Sequence, residues 1–188
     1  MSADPTAPAE TNGAGEVTYE LKDGELIPGQ YNVHLPILTR AELKLFFRLA
    51  WDVVLPDERV CPNHSSPFEA VADAYFAKSP VAVWKASRNV GGKTFCLGTL
   101  GNTEFATLRA DVSLLGGSGE QSNRMHKASA RLWNSQRAPR HLLASEPGKR
   151  RTYLVKLATE LESPEMLALT ASETSVRGGH PQRLRCDE

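Results

Sequence analysis

The segment Ser87-Arg88-Asn89-Val90-Gly91-Gly92-Lys93-Thr94 has the residue types and spacing of a phosphate-binding loop. Gly91 and Gly92 let backbone N–H groups approach an anion without a Cβ clash and tolerate a positive φ. Successive amides and a helix N-terminus would then form a positive concavity. Lys93 is placed to reach the β- and γ-phosphates of ATP, and the Thr94 hydroxyl to ligate Mg²⁺. The leading position, glycine in the general pattern, is Ser87. A second element of the same chemistry is the stretch Leu184-Arg185-Cys186-Asp187-Glu188. Asp187 would support the metal, and Glu188 would act as a general base on the attacking water. Adjacent side chains of an extended chain point to opposite sides, so the two carboxylates can divide these roles. Gly-Lys-Thr matches arise by chance and acidic chain ends are common, so neither motif is strong alone. The ordered pair is more specific.

Such a site requires a strand that delivers the chain to the loop and a helix that starts at its lysine. Val81 to Ala86 reads as a buried strand, and Lys93 to about Arg109 as a helix. Ala110 to Leu115 reads as a second strand. Ser118 with Gln121 forms a capping box that opens a polar helix ending near Trp133 or Gln136. Met166 to Thr170 is a third strand, and Leu184 to Cys186 leads into a fourth. Residues 137–151 carry conflicting signals, among them those of a further short strand or hairpin. The alternation predicts an α/β fold with a largely parallel sheet flanked by helices, of the P-loop NTPase type, ending after the acidic strand.

Two helices are expected upstream. Thr39 and Glu42 form a capping box ahead of the stripe Leu43, Phe46, Phe47, Ala50 and Trp51. Ser66 as N-cap and Pro67 at the first helical position open the second, with Phe68, Val71, Ala72, Tyr75 and Phe76 at helical spacing. Both stripes are read as core. Residues 16–38 suggest short extended pieces broken by Asp23-Gly24 and Pro28-Gly29.

The formal charge of the 188 residues is zero, but it is unevenly placed. Asp4, Glu10, Glu16, Glu20, Asp23 and Glu25 face only Lys22 within residues 1–30, leaving that segment at −5 and the remainder at +5. The Ala-, Pro- and Gly-rich start reads as a disordered or weakly ordered acidic tail over residues 1–30, followed by one domain over residues 31–188. No apolar run reaches the roughly 20 residues that span a bilayer, and no secretory signature opens the chain, so no membrane partner is expected. Cys61, Cys96 and Cys186 are far apart and suggest no disulfide framework, which fits a reducing compartment.

Over roughly residues 55–188 the sequence resembles the ATPase domain of the large terminase subunit of tailed bacteriophages. The resemblance rests on four ordered stretches: Cys61-Pro-Asn-His-Ser-Ser-Pro-Phe-Glu-Ala70, the Ser87–Thr94 loop, Leu115-Gly-Gly-Ser-Gly-Glu-Gln-Ser122, and Leu169-Thr-Ala-Ser-Glu-Thr-Ser-Val-Arg-Gly178 with Leu184 to Glu188. It implies an ATP-driven motor that moves viral double-stranded DNA into a procapsid. It also implies a homo-oligomeric ring working with a small terminase subunit and a portal protein in the cytoplasm of the infected host cell. That family tolerates a residue other than glycine at the position of Ser87. It often carries an arginine where Arg88 stands, which would offset charge on the γ-phosphoryl group. Arg177 resembles a family arginine near the nucleotide, although it also reads as an ordinary loop residue. The segment holding His64, Pro67 and Phe68 would border the adenine, with core packing the simpler role for Phe68. The family's coupling motif and nuclease domain do not follow Glu188, so the chain reads as an N-terminal fragment ending at the acidic strand.

Other constellations carry less. Cys61 and His64 have the spacing of half a zinc site, with no second pair nearby. Arg131, Arg137, Arg140, His141, Lys149, Arg150 and Arg151, with Trp133 among them, would suit a phosphate backbone, but a solvated face is the favoured reading. Two alternatives stand beside the packaging reading: a helicase-like P-loop ATPase, which shares both motifs, and a folded remnant without catalysis.

Overall fold

The computed structural model describes residues 21–22, 25–26, 37–85, 92–171 and 181–187. The chain divides into two units, Met1–Asn32 and Val33–Glu188. In the first, β1 (Leu21–Lys22) pairs antiparallel with β2 (Glu25–Leu26), two short extended pieces on either side of positions 23 and 24.

The second unit begins with two helices whose ends are written in their own residues. Helix α1 spans Arg40–Ala50, and its N-cap Thr39 and Glu42 exchange side-chain and backbone hydrogen bonds. Helix α2 spans Pro67–Tyr75, with Ser66 and Glu69 in the same reciprocal arrangement and Pro67 in the first turn. Each box satisfies two backbone donors that a helix start leaves open. Leu43, Phe47 and Ala50 of α1 meet the core, as do Phe68, Val71, Ala72 and Tyr75 of α2. The Phe47 and Phe68 rings join the two helices edge to face, with centroids 6.3 Å apart.

Helix α3, Lys93–Leu108, is the centre of the unit, and every residue from Gly98 to Thr107 is buried. Its buried threonines are satisfied locally: Thr99, Thr103 and Thr107 donate their hydroxyls to the carbonyls of Phe95, Thr99 and Thr103, one turn earlier. Helix α4, Gly119–Leu132, packs along α3. At Gly98 a Cβ would stand 3.3 Å from the Ser129 nitrogen, so the small residue permits the close approach. Asn102 joins the two helices by donating to the Ser129 carbonyl and accepting from Ser129 Oγ and Trp133 Nε1.

The sheet is mixed, with four strands in the order β4-β5-β3-β6. β3 (Val112–Gly116) lies between β5 (Glu165–Thr170) and β6 (Arg183–Asp187) and is parallel to both. β4 (Arg151–Tyr153) is antiparallel to β5 at one edge. A 3-10 turn at Arg140–Leu142 and a bridge between Leu143 and Leu154 lead into β4, so the ambiguous stretch from 137 onward ends in an antiparallel edge. The α/β expectation holds, with β4 the exception to its parallel character.

One predicted element, the strand expected to deliver the chain to the Ser87–Thr94 loop, does not form among the described residues. Residues 81–85 form no strand, and Val81 and Val83 are 74% and 88% exposed. Ala86 lies outside the described residues. β-branched residues favour a strand only where a ladder and a packed face receive them, and no described strand pairs with this segment. Trp133 also departs from the nucleic-acid reading. It is 1% exposed and packs edge to face against Trp51, with centroids 4.9 Å apart.

Among the described residues no helix is long and apolar enough to cross a membrane. Cys61, Cys96 and Cys186 are free thiols.

Candidate functional site

Parallel register brings the carboxyl ends of three strands to one edge of the sheet. Gly116, the last residue of β3, stands opposite Thr170 of β5 on one side and Asp187 of β6 on the other. Ligands of open α/β sheets bind outside the carboxyl ends of strands, where successive strands depart to opposite sides. Here β5 and β6 take opposite sides of β3.

Helix α3 starts at this edge. Its N-cap is Gly92 in the left-handed region, with φ +56°, and no side chain caps it. No carboxylate occupies its first turn. The partial positive charge of this helix start therefore has no neutralising group of its own, and Lys93 adds a full charge beside it. Nothing lies within 4 Å of where a Gly92 Cβ would stand, so glycine is favoured there by backbone conformation rather than by crowding.

Thr94 Oγ1 donates a hydrogen bond to Asp187 Oδ2 at 2.6 Å, across 93 residues of sequence. Both groups are partly buried. In this geometry the threonine oxygen keeps lone pairs for a metal ion while its proton is held by the carboxylate, and a further carboxylate oxygen remains for a metal or a bound water.

Three alternate residues of β6 face α3. Asp187 meets Thr94, while Arg185 and Arg183 meet Glu104. Arg185 donates from Nε to Glu104 Oε2 at 3.0 Å and from Nη2 to Oε1, and Arg183 Nε lies 3.2 Å from Oε1. Glu104 is completely buried. Burial pushes its carboxyl pKa up, opposed by the guanidinium of Arg185 and then that of Arg183.

Lys93 also lines a cavity of about 370 Å³ with Asn63, His64, Pro67, Trp84 and Lys85. His64 and Pro67 thus lie around the same space as the loop lysine, whereas Phe68 is 3% exposed and belongs to the core. Cys96 borders this cavity, and burial raises its thiol pKa. A larger cavity, about 660 Å³, opens beside Phe95 and is lined by Trp51, Arg131 and Arg137. Neither Lys93 nor Asp187 lines it, and of the two only Lys93 lines the smaller cavity.

The start of α4 is built differently. Ser118 caps it in a reciprocal box with Gln121, and Glu120 lies in its first turn. Gln121 therefore serves the cap. Gly116 is fixed by close approach, since a Cβ there would stand 2.4 Å from the Ser122 backbone nitrogen.

Of the residues expected at the site, Gly92, Lys93, Thr94 and Asp187 are placed, and the contact between Thr94 and Asp187 brings the two motifs together. Ser87, Arg88, Asn89, Val90, Gly91, Arg177 and Glu188 lie outside the described residues. Sequence reasoning missed Glu104. A lone glutamate among Thr103, Phe105 and Ala106 is the only local signal, and its arginine partners are about 80 residues away. In the basic stretch, Arg140 donates to the Trp133 carbonyl and to Asn134, and Arg151 pairs with Glu165 at 3.4 Å. Those two cations have structural work. Arg150 lies close to the start of α4, its Nη2 3.5 Å from where a Gly119 Cβ would stand.

No family model, curated protein or solved structure matches this chain.

Proposed function

We propose that the chain binds the phosphates of ATP with Mg²⁺ at the start of α3, as the P-loop ATPase module of a viral DNA-packaging motor of the large terminase type. The observation that carries the nucleotide reading is the hydrogen bond from Thr94 to Asp187. P-loop enzymes hold Mg²⁺ between a hydroxyl in the first turn of the loop helix and a carboxylate at a strand end. Two residues singled out from separate motifs meet in that relation. The uncapped, left-handed start at Gly92 and the cavity shared by Lys93 and His64 support the same reading.

In this assignment Lys93 binds the β- and γ-phosphates, and Thr94 and Asp187 hold Mg²⁺. Backbone amides of the Ser87–Gly92 loop cradle the anion, and Arg88 offsets charge on the transferred phosphoryl group. Glu188 polarises the attacking water, and Arg177 stands near the nucleotide. Within the packaging motor, duplex DNA, a small terminase subunit, a portal protein and further copies of the chain are the partners.

Thermal unfolding with and without Mg²⁺ and a non-hydrolysable ATP analogue tests the site. At about 100 times the dissociation constant the ligand adds roughly 2.7 kcal/mol to stability. The expected result is a raised melting temperature in the wild type and no rise in Lys93→Ala. A well-folded wild type that ignores the nucleotide sinks the ATPase reading and leaves a non-catalytic remnant. The motor assignment is read separately, from ATP turnover stimulated by duplex DNA; stimulation by single strands alone would favour a helicase-like enzyme.

A further inference from the structure

We propose that Glu104 is a positioning residue for the metal site, setting the register in which Asp187 meets Thr94. This rests on the nucleotide reading above. Glu104 and Thr94 lie on one helix, ten residues apart, which at 1.5 Å per residue is about 15 Å. Arg183, Arg185 and Asp187 lie on one strand at every second position and so project to one face. Helix and strand are therefore tied twice, by Thr94 to Asp187 near one end and by Glu104 to both arginines farther along.

The second tie determines how well the first is aimed. β6 is hydrogen-bonded to β3 alone among the described strands, so its other edge contributes no register. A slip of one residue would carry Asp187 to the opposite face and put Cys186 or Leu184 against α3. The fork of Arg185 on a fully buried carboxylate resists that slip, because a displaced guanidinium would leave Glu104 charged and unpaired in the core. A helix–strand contact needing only apolar fit would be served by an aliphatic pair. A buried carboxylate reading two alternate arginines adds direction and spacing.

The test separates positioning from simple stability. The dissociation constant of a fluorescent non-hydrolysable ATP analogue is measured in Mg²⁺ and in EDTA for the full chain. One charge-assisted contact is worth about 1.5–3 kcal/mol, so Mg²⁺ is expected to tighten wild-type binding by roughly tenfold or more. Glu104→Gln is expected to lose most of that gain while its affinity in EDTA stays within about twofold of wild type. A merely structural glutamate would lower the melting temperature and leave the Mg²⁺ gain intact, and that result overturns the proposal. If Glu104→Gln does not fold, the triple variant Glu104→Met, Arg183→Met, Arg185→Met removes the tie without stranding a buried charge, and the same two outcomes apply. No Mg²⁺ gain in the wild type overturns the nucleotide reading and this assignment together. A gain kept by the variants overturns this assignment alone.

Discussion

Helices α3 and α4 begin at the same edge of the sheet and solve the start of a helix in opposite ways. At α4, Ser118 and Gln121 satisfy backbone donors reciprocally, and Glu120 answers the positive end of the helix from within the chain. At α3 a left-handed glycine replaces the capping side chain, the first turn holds no acid, and a lysine is the first helical residue. Helices α1 and α2 follow α4, with Glu42 and Glu69 in their boxes. A start that is closed by its own residues has little left for an anion. A start left open keeps its backbone donors and positive end available, and here its threonine is bonded to a carboxylate from another strand.

The comparison can be broken most forcefully at Gly116, which ends β3 beside the start of α4. Gly116→Ala sets a methyl group against backbone atoms at distances no side-chain rotation relieves, and should cost at least about 2–3 kcal/mol, read from the urea midpoint. A loss below about 0.5 kcal/mol would show that α4 can move away from the strand end. A sharper contrast sets Gly92→Ala against Ser118→Ala. The first forces a Cβ into left-handed backbone at about 1–2 kcal/mol, and the second loses a cap at about 1 kcal/mol. Their effects on stability are therefore similar, but only Gly92→Ala should weaken the response to Mg²⁺ and nucleotide. Equal loss of that response in both variants would erase the distinction between the two helix starts.

The smallest effect concerns the buried side of α4. His126 is 1% exposed, with Nε2 3.2 Å from Thr152 Oγ1, and burial lowers its pKa below the usual 6.5. As pH falls through 6.5 the unfolded chain takes up a proton that the folded chain refuses, so stability is lost on acidification and regained above that value. Between pH 7 and pH 6 the loss should be at most about 0.7 kcal/mol, and His126→Gln should flatten the profile by that amount. Profiles that stay parallel would show that His126 protonates in the folded state without penalty.

The parts of the molecule legible in the sequence are those whose physics is local. Thr39, Ser66 and Ser118 cap their helices through partners three residues away, so residue type and spacing suffice to find them. Met166 to Thr170 and Leu184 to Cys186 carry enough apolar or extended character to be located to within a residue or two of the strands that form. The open start at Gly92-Lys93-Thr94 is readable for the same reason, since glycine and lysine at that spacing state a backbone conformation and a charge.

What tertiary structure decided lies in contacts between residues far apart in the chain. Val81 to Lys85 has the composition of a buried strand, yet pairing depends on an available edge, which composition does not describe. Trp133 lies within a run of cations, but the cavity between Trp51 and Phe105 takes its ring into the core. Thr94 could be nominated from its loop and Asp187 from its strand, whereas their 2.6 Å meeting depends on how α3 lies against β6. Glu104 gave no sign of its role, because a carboxylate on a helix looks solvated until the fold buries it and sets two arginines from a distant strand around it. Local hydrogen bonding and backbone sterics act over three or four residues and are written in order along the chain. Desolvation and register act only once the chain has folded back on itself.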